Sequence, residues 1–400
     1  MGRRLELDAA RGFMLVWMVM THLPTKLPTY VNQPFGFISA TEGFIFLSAL
    51  FTGRIYFRLA QKNGYRAMQR KLGMRTLRLY AYHGLLLAFA FLVAVPVASH
   101  GNRPGLHNLL DFYFSAGAQR AIVDAALLVY RPPLLDILPM YIIFLLLTPV
   151  VLTITKRVAW KYVIGGSFIF WLLAQFGLRQ AMHDFTGRVF HMGIPLNEMG
   201  AFDLWAWQFM WTLGLWMGVR WAKGDLPVEN WARRFTIPAA LICASLLAFR
   251  YVAAAVNLDF GAAEPLFDKW HFGVVRLLDF AAVAALLIRF QGTLKPLTVR
   301  PLILLGQASL QVFCIHLLFC FAGLTIMGPN AMLTDWRQFA LLGATLAAML
   351  VTARIFSKSE SPDLGADVIQ LPPALGNAAT PVAMREQHRI SPSKLAPSTK

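Results

Sequence analysis

Charge is scarce in this sequence. Of its 400 residues only 14% are Asp, Glu, Lys or Arg, against about 25% in an ordinary soluble domain. That shortage argues against the roughly two or three soluble domains the length alone would suggest. Acidic residues are the rarer sign, 20 against 37 basic ones. Cysteine is nearly missing too. Cys243, Cys314 and Cys320 all fall in apolar stretches, with no pair in an exposed loop. A disulfide framework is therefore not expected, and the three read as packing residues. No GxGxxG, Walker-type loop, HExxH or serine-hydrolase elbow occurs, so the commonest nucleotide, zinc-protease and hydrolase templates do not apply. The histidines are too scattered for a recognisable metal site, and no metal or bound cofactor is expected.

What the chain has in quantity is long apolar runs. It is 57% hydrophobic with a mean hydropathy of +0.54. Runs near the roughly 20 residues needed to cross a bilayer lie at about 10–27, 35–57, 76–98, 134–155, 160–180, 203–221, 235–256, 271–289, 301–325 and 337–356. They predict an all-α polytopic membrane protein of about ten transmembrane helices. Arg11 interrupts the first run early and no small-residue cleavage site follows it, so it is not read as a cleaved signal peptide. The second run contains Ser39, Thr41, Glu42 and several glycines and has the character of a broken or re-entrant segment.

The net charge of +17 would suit a nucleic-acid binder, but the placement of the charges argues for a membrane and no nucleic acid. With the N-terminus in the cytoplasm, 27 of the 37 Lys and Arg fall on the inner side, as the positive-inside bias requires. An even number of spans then puts both termini in the cytoplasm. Residues 1–356 form the transmembrane domain. Residues 357–400, rich in Ser, Pro and Ala with scattered basic residues, read as a disordered cytoplasmic tail. The outer loop at about 99–133 carries apolar and aromatic residues that suggest an interfacial helix. No internal repeat of the kind found in many transporters is visible.

Ionisable groups inside spans are expensive and mark functional sites by default; the plain alternative is a structural pair or a snorkelling end. Asp8 and Arg11, three apart, have the spacing of an ion pair at the inner end of the first span. His22 lies eleven residues beyond Arg11, about three turns and roughly 16 Å higher on nearly the same face. Glu42 enters from the outer side at a matching depth. Asp136 and Tyr141 open the fourth span from outside, Trp207 and Gln208 the sixth, and Asp268, Lys269 and Arg276 the eighth. His316, about fifteen residues up the ninth span, reaches the same outer layer. A purely structural account needs a separate accident for each. On the inner face, Arg54 to Arg78 holds eight basic residues and no acidic one. Positive-inside bias explains much of that loop, yet Arg75 and Arg78 enter the bilayer three residues apart and suit phosphates.

Several of these residues fall in a familiar pattern. Asp8-x-x-Arg11-Gly12 followed by His22 resembles the first-span signature of the membrane acyltransferase-3 superfamily. Arg75-x-x-Arg78 resembles its third-span arginine pair, and "LGQASLQVFCIH", ending at His316, its late Gly-x-x-Ser…His motif. "GFIFLSAL" resembles its second-span motif, with Ala49 where the family usually has Gly. More closely, "LELDAARGFMLVWMVMTHLP", "LRLYAYH", "LLDILPMYIIFLLLTP", "WAWQFMWTLG" and "FDKWHFGVVRLLDF" are similar to the OpgC subfamily, from about Leu5 to Leu324. The resemblance implies a multi-pass protein of the bacterial inner membrane. It implies transfer of an acyl group, succinyl by the family's named members, from cytoplasmic acyl-CoA (succinyl-CoA) to a hydroxyl of a periplasmic glucan. Acyl-CoA would be a co-substrate, with no cofactor bound.

Under that resemblance His22, Glu42, His316 and Asp136 are the catalytic candidates. His22 is the general base and His316 the competing one. Arg75, Arg78 and Arg11 would hold the donor. Tyr141, Trp207, Gln208, Asp268, Lys269 and Arg276 would meet the acceptor, and either Arg276 or Lys269 has the charge to hold the distal carboxylate of a succinyl group. Two rivals stand beside this reading: an acyltransferase for another envelope glycan, and a transporter or flippase for an anionic or sugar substrate. A membrane-anchored structural subunit leaves the outer polar layer unexplained.

Overall fold

The computed structural model describes residues 5–191, 193–225, 232–330 and 332–357. The tail at 358–400, expected to be disordered, lies outside the described residues. Helix α1, Leu5–His22, ends where Pro24 forbids continuation. Helix α2, Ala40–Phe89, begins with a capping box. The Glu42 carboxylate accepts from both the backbone N–H and the hydroxyl of Ser39, at 2.9 and 2.6 Å, so orphan groups of the first turn are satisfied. The second span thus starts as helix only at Ala40, and Glu42 sits in its first turn rather than two turns deep.

Helix α2 is a hairpin rather than one rod. Gly64, at φ 83, breaks it, a conformation glycine adopts without penalty. Arg75 Nη1 donates to Thr52 Oγ1 at 3.3 Å although 23 residues separate them. On a straight helix that separation is about 35 Å, so the two arms lie side by side. The second arm runs on through a π-helical segment, Ala90–Ala94, to Ser99. Pro96 follows that segment, and its missing N–H and its ring disturb the ladder one turn back.

Three short helices, Pro104–Leu109, Asp111–Ala116 and Ala118–Ala126, occupy the loop where one interfacial helix was expected. Then come α3 at Ile137–Ile154, α4 at Trp160–Gln175 and α5 at Leu178–Phe190. Helices α4 and α5 meet at 83° around Gly177, whose φ is 85. The fifth expected span is therefore a bent pair. Helix α6, Leu204–Lys223, is capped by the Asp203 carboxylate, which accepts from the Trp205 N–H at 2.9 Å. Helices α7, Thr236–Ala255, and α8, Val274–Arg289, pack as neighbours. The ninth expected span is split at Ala308 into α9, Arg300–Gln307, and α10, Ser309–Met327. Helix α11, Trp336–Phe356, closes the bundle.

Among the described residues no strand forms beyond one isolated bridge, Thr25 with Leu333. Five stretches are long and apolar enough to cross a bilayer: Ala40–Ser99, Ile137–Ile154, Thr236–Ala255, Ser309–Met327 and Trp336–Phe356. The bent pair adds a sixth. The runs expected at 10–27, 203–221 and 271–289 fold as α1, α6 and α8. Asp8 and Arg11 dilute the apolarity of α1, α6 is rich in tryptophan, and α8 has only 16 residues. Large exposed side chains such as Leu241, Tyr251 and Val252 on α7 face outward as lipid-facing residues do.

Bare backbone carries the closest contacts. A Cβ on Gly218 would strike the Leu50 carbonyl, and one on Gly53 the Leu215 carbonyl. Ala49-x-x-x-Gly53 on α2 thus meshes with Gly214-x-x-x-Gly218 on α6, small residues letting two helices approach without lipid between them. The same device joins α1 to α9, where Gly12 abuts the Leu302 carbonyl and Gly306 that of Asp8. Gly218→Val should lower the thermal midpoint in detergent, because overpacking a tight contact costs about 1–3 kcal/mol. Gly73→Ala, with open space around it, should leave the midpoint unchanged or raised. Equal midpoints for the two variants would contradict the packing described.

Candidate active site

Helices α1 and α10 run alongside each other and are cross-linked twice. Arg11 Nη2 donates to Ser309 Oγ at 2.5 Å. His22 Nδ1 and His316 Nε2 lie 3.1 Å apart, their rings stacked at 5.4 Å and 20°. Arg11 and His22 share a face of α1 at three-turn spacing. Ser309, Phe313 and His316 share a face of α10 at the i, i+4, i+7 spacing. The two rungs are thus about 16 Å apart on α1 and about 10 Å on α10, and the reach of the arginine side chain takes up the difference.

Below the histidines lies a cavity of about 70 Å³. Arg11, Arg75, Tyr141 and Ser309 supply its polar groups; Phe44, Leu79, Ile137, Leu138, Leu145, Leu310 and Phe313 wall it. Arg75 comes from the second arm of α2 and rests over the Tyr56 ring at 5.9 Å. The guanidinium of Arg11 lies 5.8 Å from the centre of the Phe44 ring and 5.5 Å from that of Phe51. At the other end Phe44 and Phe313 stack at 6.4 Å, and the Phe313 ring meets His316 edge-on at 4.8 Å. One phenylalanine ring thus touches both the cavity and the histidine pair. His316 is fully buried, whereas His22 is only partly covered and is the more approachable of the two.

A buried ion pair joins α8 to the start of α2. Arg276, at the start of α8, donates through Nε and Nη2 to Glu42 Oε1 at 3.0 and 2.6 Å, and neither side chain is exposed. Three residues on, Asp279 accepts the Phe37 N–H at 2.6 Å. Together they fasten α8 to the entry of α2.

The other expected site residues divide. Tyr141 lies in the arginine cavity, not in an outer one, and packs edge-on against Trp211 at 5.1 Å. Asp136 precedes α3 and accepts the Ala201 N–H at 3.0 Å. Trp207 is fully buried, its indole N–H donating to the Trp270 carbonyl at 3.1 Å. Gln208 turns to α4, accepting from the Ser167 hydroxyl and donating to the Ser167 and Trp205 carbonyls. That use of its amide makes it a clamp between helices. Asp268 is bonded to the backbone and ring of His271 at 2.8 and 2.5 Å. Arg78 is exposed and outside the cavity wall that Arg75 joins. Of Glu42, Asp136, Tyr141, Gln208, Asp268 and His316, Tyr141 alone lines the arginine cavity.

Sequence reasoning passed over Ser309, Phe313 and Asp279. Each stands in a quoted run, and helical spacing from His316 or Arg276 was the available signal. His83, fully buried with both ring nitrogens unpartnered, was likewise left in "LRLYAYH" without a role.

Removing one partner of a buried ion pair costs about 3–5 kcal/mol because it strands the other charge. Arg276→Met should therefore destabilise the protein strongly, and Glu42→Gln with Arg276→Met should be more stable than that single variant. Thermal unfolding in detergent measures both; a double variant less stable than Arg276→Met would contradict the pairing.

A family model described as OpgC protein matches residues 3–361 of the chain. No curated protein and no solved structure matches it.

Proposed function

The chain belongs to the OpgC family, and on that premise we propose that it moves a succinyl group from cytoplasmic succinyl-CoA to a hydroxyl of a periplasmic glucan. The observation that carries the reading is the contact of an arginine-lined cavity with a histidine pair through the single ring of Phe313. Family membership supports an acyltransferase acting in glucan modification.

In that reading the bundle crosses the inner membrane about ten times, with both termini in the cytoplasm. The Gly64 end faces inward, since the basic residues of 54–78 gather there with Lys156, whose ammonium lies 3.1 Å over the Tyr65 ring. Acyl-CoA enters from that side as a co-substrate. Arg11 and Arg75 grip its phosphates by charge-assisted hydrogen bonds, and the apolar wall receives the thioester arm. Arg78, exposed outside the wall, attracts the donor from the surface.

The glucan hydroxyl approaches His22 from the outer end. His22 accepts the hydroxyl proton as the oxygen attacks the thioester carbonyl. When the tetrahedral intermediate collapses, the C–S bond breaks and the proton passes to the departing thiolate. An ester and free CoA result. His316, hydrogen-bonded to His22 Nδ1 and sealed from solvent, fixes the tautomer that leaves His22 Nε2 as the acceptor. The greater accessibility of His22 supports this division of labour over one with His316 as base.

General-base help is typically worth about 10²–10⁴ in rate. In a deletion strain, the wild-type gene should restore a succinyl substituent on periplasmic glucans, read by mass spectrometry. His22→Ala and His22→Gln at matched membrane levels should fall at least about a hundredfold short. Near-normal transfer by His22→Gln would end the general-base role. A substituent restored on lipopolysaccharide alone would move the acceptor to another envelope glycan, and loss only in a His316 variant would move the base.

A further inference from the structure

Helix α5 has no buried residue, yet its three faces differ in chemistry. At about 100° per residue, Arg179, His183 and Thr186 share one face. Met182, Phe185 and Val189 share a second, about a quarter turn away, and Gln180, Asp184 and Arg188 a third. The first face is tied to the loop that follows. Arg179 Nη1 donates to the Ala201 carbonyl at 3.0 Å, and Nη2 to those of Leu196 and Gly200 at 3.2 and 2.5 Å. His183 Nε2 lies 2.9 Å from the Ile194 carbonyl. These bonds stop α5 from rolling about its axis. The third face closes on itself: Gln180 Nε2 donates to Asp184 Oδ1 at 2.8 Å, and Arg188 Nε to the Asp184 carbonyl at 3.1 Å. The second face is bare, with Met182 36%, Phe185 54% and Val189 50% exposed.

The position of α5 points to what covers that stripe. Lys156 rests on the Tyr65 ring at 3.1 Å, so α4 starts at the end of the bundle that bears the Gly64 turn. Lys156, Arg157, Trp160 and Lys161 there are residues of a headgroup boundary. From Trp160 the 16 residues of α4 rise about 24 Å, roughly one turn less than the hydrocarbon core of about 30 Å. The far end of α4 therefore stops just inside the opposite boundary. There α5 leaves it at 83°, close to the plane of the bilayer. On α4 the exposed Ile169, Phe170 and Leu173 lead to Phe176 at the corner, 81% exposed, and the stripe of α5 continues this lipid-facing surface. A broken span would instead surround α5 with hydrocarbon, where Asp184 and Arg188 are expensive.

We propose that α5 lies flat in the membrane interface opposite the Gly64 turn. Met182, Phe185 and Val189 sink among the lipid acyl chains, and Gln180, Asp184 and Arg188 face the headgroup water, as in an amphipathic surface helix. The stripe grips the bilayer while Arg179 and His183 hold residues 194–201. The lipid surface thus sets the height of a loop whose Ala201 N–H bonds Asp136 and whose Asp203 caps α6.

The test is the reaction of single introduced cysteines with a charged, membrane-impermeant maleimide, in the full-length protein held at one copy per lipid nanodisc. The unchanged protein gives the background of the native cysteines, and SDS denaturation gives full reactivity. Met182→Cys, Phe185→Cys and Val189→Cys should react at least about tenfold more slowly than Gln180→Cys and Arg188→Cys, because hydrocarbon excludes the charged reagent. All five side chains are exposed, so the fold tolerates each change. Fast reaction at all five would leave the stripe in water and overturn the proposal. Slow reaction at all five would sink α5 into the bilayer as half of a span and overturn it too. Protection of the stripe only in discs holding two copies would assign it to a second copy of the chain, which also overturns it.

Discussion

The ion pair of Glu42 with Arg276 governs how α8 meets the start of α2. Both charges are fully buried, and a buried pair gains little net stability against its desolvation. Its consequence is registration. The same carboxylate that holds Arg276 also closes the capping box on Ser39, so one side chain sets where α2 begins and which turn of α8 meets it. Asp279 repeats the link through the Phe37 N–H. Sliding α8 by one turn would take Arg276 away from Glu42 and leave that carboxylate only its Ser39 bonds.

A second constraint is dryness. Acyl transfer from a thioester competes with hydrolysis, and excluding water from the reacting atoms favours the intended acceptor. In the proposed reaction the aromatic rings between the cavity and the histidines would serve this end. Phe44 lies against Tyr141 and Phe313, and Phe313 against His316. The arginine end keeps its cations on apolar and aromatic walls, where interactions with phosphate are stronger than in bulk water.

Helical periodicity made part of this legible in the sequence. Three turns separate Arg11 from His22, and that spacing alone put them on one face. Cross-helix partners were not legible: the approach of Ser309 to Arg11, or of His316 to His22, depends on which faces of α1 and α10 meet. Depth proved a weaker guide than direction. Gln208 lies at the expected level but turns to α4, and Arg78 lies one turn from Arg75 yet points outward. The apolar runs marked where helix would form and missed where it would break. Gly64 and Gly177 adopt positive φ, Pro96 disturbs its own turn, and Ala308 splits a run with no breaker residue at the break itself. The OpgC resemblance supplied the order of the motifs, and the family match over residues 3–361 agrees with it.

In the proposed reaction the membrane separates donor from acceptor, and the cavity and the histidine pair connect the two sides. Sealed proteoliposomes with the protein in one orientation test this directly, with labelled succinyl-CoA on one face and glucan on the other. Labelled glucan is expected only when the donor is on the face bearing the Gly64 turn and the glucan is on the opposite face. Label transferred only when both substrates share one face would contradict it.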